Sequence, residues 1–203
     1  MRLLLLSMIC SVLILFLVAE IASPTIRSQH NVHVLPVHKT LYMARDTYSD
    51  EFFHLVEAAM EWNNATNGNV VFDIKMLPQH NIDVHSSIII FNVGPDNPDI
   101  ITLDNEYPDR KYEAMAFFDD RKMLRSIAMV DERISDSEYT SVFEHELGHA
   151  LGLEHIKGEA GIGTLMSESI DEGSMHITNT DLKYFCKLYH CDASKFHGQS
   201  QIQ

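Results

Sequence analysis

The apolar positions of this chain fall into strand-like and helix-like registers along most of its length. Val32 to Tyr42 carries β-branched residues in loose alternation and predicts a strand, interrupted at Pro36. Ser49 to Asn64 places Phe52, Phe53, Val56, Ala59, Met60 and Trp62 at helical spacing, and Asn67-Gly68 closes that segment. Two strands are predicted next, Asn69 to Met76 and Ser86 to Val93. The second is an unbroken apolar run, which suits a buried position. The Pro- and Asp-rich stretch Gly94 to Arg110 reads as loop. Shorter strands follow at Glu113 to Phe118 and Arg125 to Asp131. A helix is predicted from near Asp136, where Ser135 and Glu138 have the spacing of a capping box, and a closing helix over Leu182 to Leu188. Strands gathered early, with helices flanking and following them, predict an α+β class with a mixed sheet.

The N-terminus stands apart from this pattern. Arg2 precedes an uncharged apolar run, Leu3 to Ala19, which has the design of an export signal and the least length of a membrane-spanning helix. Residues 1–22 are therefore a cleaved signal or a retained anchor, and either places the rest outside the cytoplasm. Residues 24–193 form the folded domain, and the polar residues 194–203 read as a flexible tail. Acidic residues (29) outnumber basic ones (15), for a formal charge of −14, and no basic run occurs. That excludes a nucleic-acid binder and leaves the N-terminal segment as the one route to a membrane. A monomer is expected. Cys10 belongs to the apolar run, so export leaves Cys186 and Cys191 where disulfides persist. In a continuous helix the two would lie on different faces. A turn near Tyr189–His190 folds Cys191 back onto the last helical turn, and a Cys186–Cys191 bridge is predicted.

The twelve histidines matter for where they fall. His145 and His149 are four apart, which puts both imidazoles on one helix face with Cβ atoms roughly 5–6 Å apart. That is the reach two nitrogens need to share a zinc ion at about 2.0–2.1 Å. Glu146 lies beside His145, where it can hold water at the metal without ligating it. Gly152 can take the left-handed conformation that stops the helix, so that the returning chain delivers His155 as third ligand. A fourth position stays open, the arrangement of a catalytic rather than a structural zinc site. The HExxH core alone arises by chance in roughly one such chain in twenty; the Gly and third His lower that to about 1 in 10⁴. Glu144 and Glu154, flanking the ligands, read as solvent-facing.

His145 to His155, HELGHALGLEH, resembles the long zinc-binding signature of the metzincin metallopeptidases. Thr164-Leu165-Met166 is similar to their methionine turn, with Met166 as the turn residue. Phe143 to Leu153, Asp181 to Tyr189 and Ala58 to Asn63 resemble the active-site, closing and first helices of the matrixins. Ile156 stands where matrixins usually carry Ser or Thr, and the linker to Met166 is a few residues longer. The resemblance implies a twisted mixed sheet with a zinc cleft between a larger upper subdomain (24–155) and a small lower one (156–193). It also implies a zinc endopeptidase with Glu146 as catalytic base, taking a protein or peptide substrate. Calcium is a further implied cofactor, at the acidic stretch of Asp96, Asp99, Asp104, Glu106 and Asp109. The rival reading is a zinc-stabilised module that docks peptide without turnover.

Overall fold

A computed structural model describes residues 34–44, 49–77, 87–106, 113–118, 124–130, 133–168 and 176–198. The apolar run Leu3–Ala19 lies outside them. Among the described residues no helix is long and apolar enough to cross a membrane.

Strand β1 (Val37–Met43) starts just after Pro36, which has no N–H to give a ladder. It buries Val37, Leu41 and Met43. Helix α1 (Ser49–Ala65) crosses over to β2 (Val70–Met76), which pairs parallel to β1 from Val37↔Val70 to Met43↔Met76. On the other side of β1 lies β3 (Ser87–Asn92), also parallel, with Ile88 and Ile90 buried. Strand β5 (Leu124–Met129) is parallel to β3, and β4 (Ala114–Phe118) closes the sheet antiparallel to β5. The order is β2-β1-β3-β5-β4, a five-stranded mixed sheet. This is the α+β class expected, and β4 is left as an antiparallel edge.

The stretch expected as loop contains helix α2 (Pro98–Glu106). Pro98 stands at its first position, where a missing N–H costs nothing and the fixed φ suits a helix. The Thr102 hydroxyl donates to the Pro98 carbonyl, and Ile100 is fully buried. One turn of apolar anchoring thus outweighs the breaker-rich composition.

Helix α3 (Tyr139–Ala150) begins three residues later than the capping-box spacing predicts. The Ser135 hydroxyl donates to the Glu138 carboxylate instead of accepting the Glu138 amide, which bonds the Ser135 carbonyl at 2.8 Å. That closes a separate turn ahead of the helix. Helix α4 (Asn179–Tyr189) has the capping box that α3 lacks, between Thr178 and Asp181. Its C-cap, His190, takes the left-handed conformation at φ 54°. That reversal brings the Cys191 amide to the Cys186 carbonyl at 3.0 Å, and the two cysteines form a disulfide with Cα atoms 4.5 Å apart.

The tail departs from the flexible segment expected at 194–203, of which 199–203 lie outside the described residues. A 3₁₀ turn at Ala193–Lys195 leads to Phe196, which is buried against Phe185 with ring centroids 6.2 Å apart. The His197 amide then bonds the Ala65 carbonyl at the end of α1, and the Asn67 side-chain amide donates to the Lys195 carbonyl. One aromatic residue in a polar stretch is enough to anchor it. Between these elements runs a core from β1 to Phe196, in which Trp62 of α1 is fully buried. The Trp62 indole N–H donates to the Glu144 carbonyl of α3 at 2.9 Å.

Candidate metal centre

Helix α3 ends in a Schellman turn. The Gly152 amide bonds the His149 carbonyl and the Leu153 amide bonds the Gly148 carbonyl, with Gly152 at φ 87°. The chain therefore reverses within three residues of the helix end and brings His155 back to face it. The Nε2 atom of His155 stands 3.1 Å from that of His145 and 3.2 Å from that of His149. Three nitrogens bound tetrahedrally to one zinc would stand about 3.3 Å from one another. Among the described residues this is the one cluster of His, Cys, Asp or Glu compact enough to hold a metal.

The orientation of the rings is set from behind. His145 Nδ1 donates to the Leu165 carbonyl at 2.7 Å and His149 Nδ1 to the Leu153 carbonyl at 2.8 Å. With Nδ1 protonated in both, each Nε2 presents a lone pair to the same point, an arrangement that repels itself unless a cation sits there. Burial keeps both rings neutral: it lowers the pKa of His145 to about 3, helped by His149, and that of His149 to about 4. The ligand set therefore fits zinc in number, tautomer and protonation.

Glu146, next along α3, is buried, and one of its carboxylate oxygens has no hydrogen-bond partner. Burial alone raises its pKa to about 8. A divalent cation nearby would pull that value down again. An unpartnered carboxylate oxygen on the residue that follows His145 is the group that acid–base chemistry at the metal needs.

Residues 50–190 match the family model Matrixin. The chain belongs to the matrixin family. It is thus a zinc metallopeptidase domain, and the histidine triad is its zinc-binding site. Among solved structures it resembles archaemetzincin from Methanopyrus kandleri, at 14% identity over 79% of this chain and 98% of that one (TM-score 0.47). Myroilysin is similar at 11% identity over 78% and 95% of the two chains (TM-score 0.42). No curated protein matches the sequence.

In this matrixin the Thr164–Met166 segment is held by a residue that sequence reasoning passes over. The buried Asp181 carboxylate accepts the Leu165 and Met166 amides, both at 3.0 Å, and the amide and hydroxyl of Thr178 at 2.8 and 2.6 Å. Leu165 in turn offers its carbonyl to His145, so Asp181 fixes one metal ligand through one intervening residue. Met166 is fully buried, and its carbonyl accepts the Ile156 amide at 2.7 Å. Gly148 is required by the same contact: a Cβ there would come within 2.4 Å of the Met166 sulfur. A glycine in a helix interior, costly by about 1 kcal/mol, was the available signal.

Glu154 is exposed, as expected, but Glu144 is not. Its side chain is fully buried, and neither carboxylate oxygen makes a well-formed hydrogen bond. The Nδ1 atoms of His145 and His149 rest on backbone carbonyls rather than on either glutamate. For calcium, the described residues offer no second ligand cluster; the side chains of Asp99, Asp104 and Glu106, and all of Asp109, lie outside them.

Proposed function

We propose that this matrixin is an exported endopeptidase that hydrolyses peptide bonds in extended segments of protein substrates. The observation that carries the reading is the pairing of three converging imidazole nitrogens with the buried, unpartnered carboxylate oxygen of Glu146. His145, His149 and His155 hold the metal. Zinc, when bound, supplies a Lewis acid that polarises the scissile carbonyl and acidifies water. Glu146 accepts the proton of the attacking water and passes it to the leaving amine. Its burial excludes bulk water from that exchange. Met166 forms part of the packed support behind the ligands and contributes no lone pair. The open edge of β4 offers main-chain groups to an extended substrate. The apolar N-terminal run and the Cys186–Cys191 bridge support export to an oxidising compartment.

A digest of casein or gelatin with the zinc-loaded exported chain tests this. Wild type should cleave, and a chelator should stop it. Glu146→Ala should keep its zinc yet lose at least about 100-fold in rate. Cleavage by Glu146→Ala at the wild-type rate overturns the mechanism. Tight peptide binding by wild type without turnover would instead favour the binding-module reading.

A further inference from the structure

Strand β4 ends in two phenylalanines with different surroundings. Phe117 stacks on Phe91 of β3, with centroids 6.4 Å apart. Ala114 and Ala116, on the opposite face, pack against the core beside α3. The pairing with β5 becomes irregular between Phe117 and Phe118, a feature that re-aims side chains at the end of a strand. The Phe118 ring stands at 83° to that of the ligand His149, with centroids 6.0 Å apart. Half of Phe118 (50%) remains exposed. An aromatic side chain kept for packing gains by full burial, and this one stops half-way, beside the metal centre and at the end of the open edge.

We propose that Phe118 sets substrate specificity. Its exposed ring forms the apolar rest for the substrate side chain that points toward α3 from a strand paired with β4. Main-chain pairing along an edge does not read sequence; alternate side chains do. A peptide on β4 turns every second side chain to the α3 face, where the Phe118 ring and the triad lie. An apolar or aromatic residue at that position covers the ring, whereas a charged one would lose hydration against it. This inference rests on the peptidase reading above.

The test uses the zinc-loaded exported chain and fluorogenic peptides built on a sequence cut from casein. Each position in turn carries Phe, Leu, Ala, Asp or Lys. Wild type should prefer Phe or Leu over Asp by at least about tenfold in kcat/KM at one position, the scale of a few apolar contacts. Phe118→Ala should collapse that ratio toward one while other positions keep theirs, and Phe118→Leu should retain most of it. Zinc content should stay at the wild-type level in both. The same peptides are also titrated against zinc-loaded Glu146→Gln by fluorescence anisotropy, with and without Phe118→Ala. An equal loss on every peptide, or loss of zinc, means that Phe118 merely steadies His149 and overturns the proposal. So does an unchanged preference in Phe118→Ala. If wild type cuts none of the peptides while binding still shows a Phe118-dependent preference, Phe118 stands and the turnover reading fails.

Discussion

Replacing Glu144 by Gln should stabilise the protein at neutral pH and do so only about a quarter as much at pH 5. The carboxyl is fully buried and makes no well-formed hydrogen bond. Burial, and then the charge of Glu61 on α1, raise its pKa from 4.5 to about 8, with the Ile177 amide pulling weakly the other way. The folded protein therefore holds a proton that the unfolded chain releases between pH 4.5 and 8. Below that window both states are protonated and Glu144 adds no pH dependence. Within it, stability falls as pH rises, by about 1.4 kcal/mol per pH unit, which amounts to about 3 kcal/mol at pH 7. Gln has the same shape, so it matches the protonated acid below that window but carries no titration, and at pH 5 its gain is about 0.8 kcal/mol. A domain of this size shifts its melting temperature by about 2–4 °C per kcal/mol, so the variant should melt about 6–12 °C higher at pH 7. Calorimetry of both proteins with saturating zinc, at pH 5 and pH 7, provides the measurement. Titration of the metal ligands is common to the two and cancels in the difference, provided that zinc content is equal. Melting temperatures that differ by the same amount at both pH values would refute the reasoning.

Three further perturbations follow from the packing. Gly148→Ala forces the Met166 sulfur aside and should cost about 1–3 kcal/mol by denaturant melting, despite its better helix propensity; Met166→Ala in the same chain should recover part of that loss. Asp181→Ala leaves three buried amides without their acceptor and should cost about 3–5 kcal/mol, with zinc affinity falling in equilibrium dialysis because His145 loses its fixed backing. His190→Gly relieves a left-handed residue that carries a side chain and should add about 1 kcal/mol with the neighbouring disulfide intact; a lower melting temperature would contradict it.

The ligand triad is legible in the sequence because it is local: one helical repeat and one glycine stop place all three nitrogens, whatever the rest of the fold does. The buried strand β3 was legible too, since Ile88 to Ile90 read as an unbroken apolar run; which strands run parallel was not. Helix α2 was not, because Pro98 counts as a breaker until its place at the first helical position is known. Phe196 was hidden by its polar neighbours. Asp181 and Glu144 escaped for a deeper reason. Both are acids that periodicity assigns to no face, and their surroundings come from segments distant in the chain: Leu165 and Met166 for the one, α1 and Ile177 for the other.

The two imidazoles of α3 are backed unequally, and that gives the centre a built-in order of assembly. His149 takes its carbonyl from Leu153, within the same turn, so its ring is set as soon as α3 and its glycine stop exist. His145 waits for Leu165, which waits for Asp181, the third residue of a helix that the ribosome delivers later. A chain emerging from its N-terminus thus acquires the His149 contact early and a properly held His145 only when α4 docks. The strength of metal binding becomes a report on whether the far end of the domain has arrived. A copy truncated before α4 would keep the whole zinc signature and hold its metal loosely.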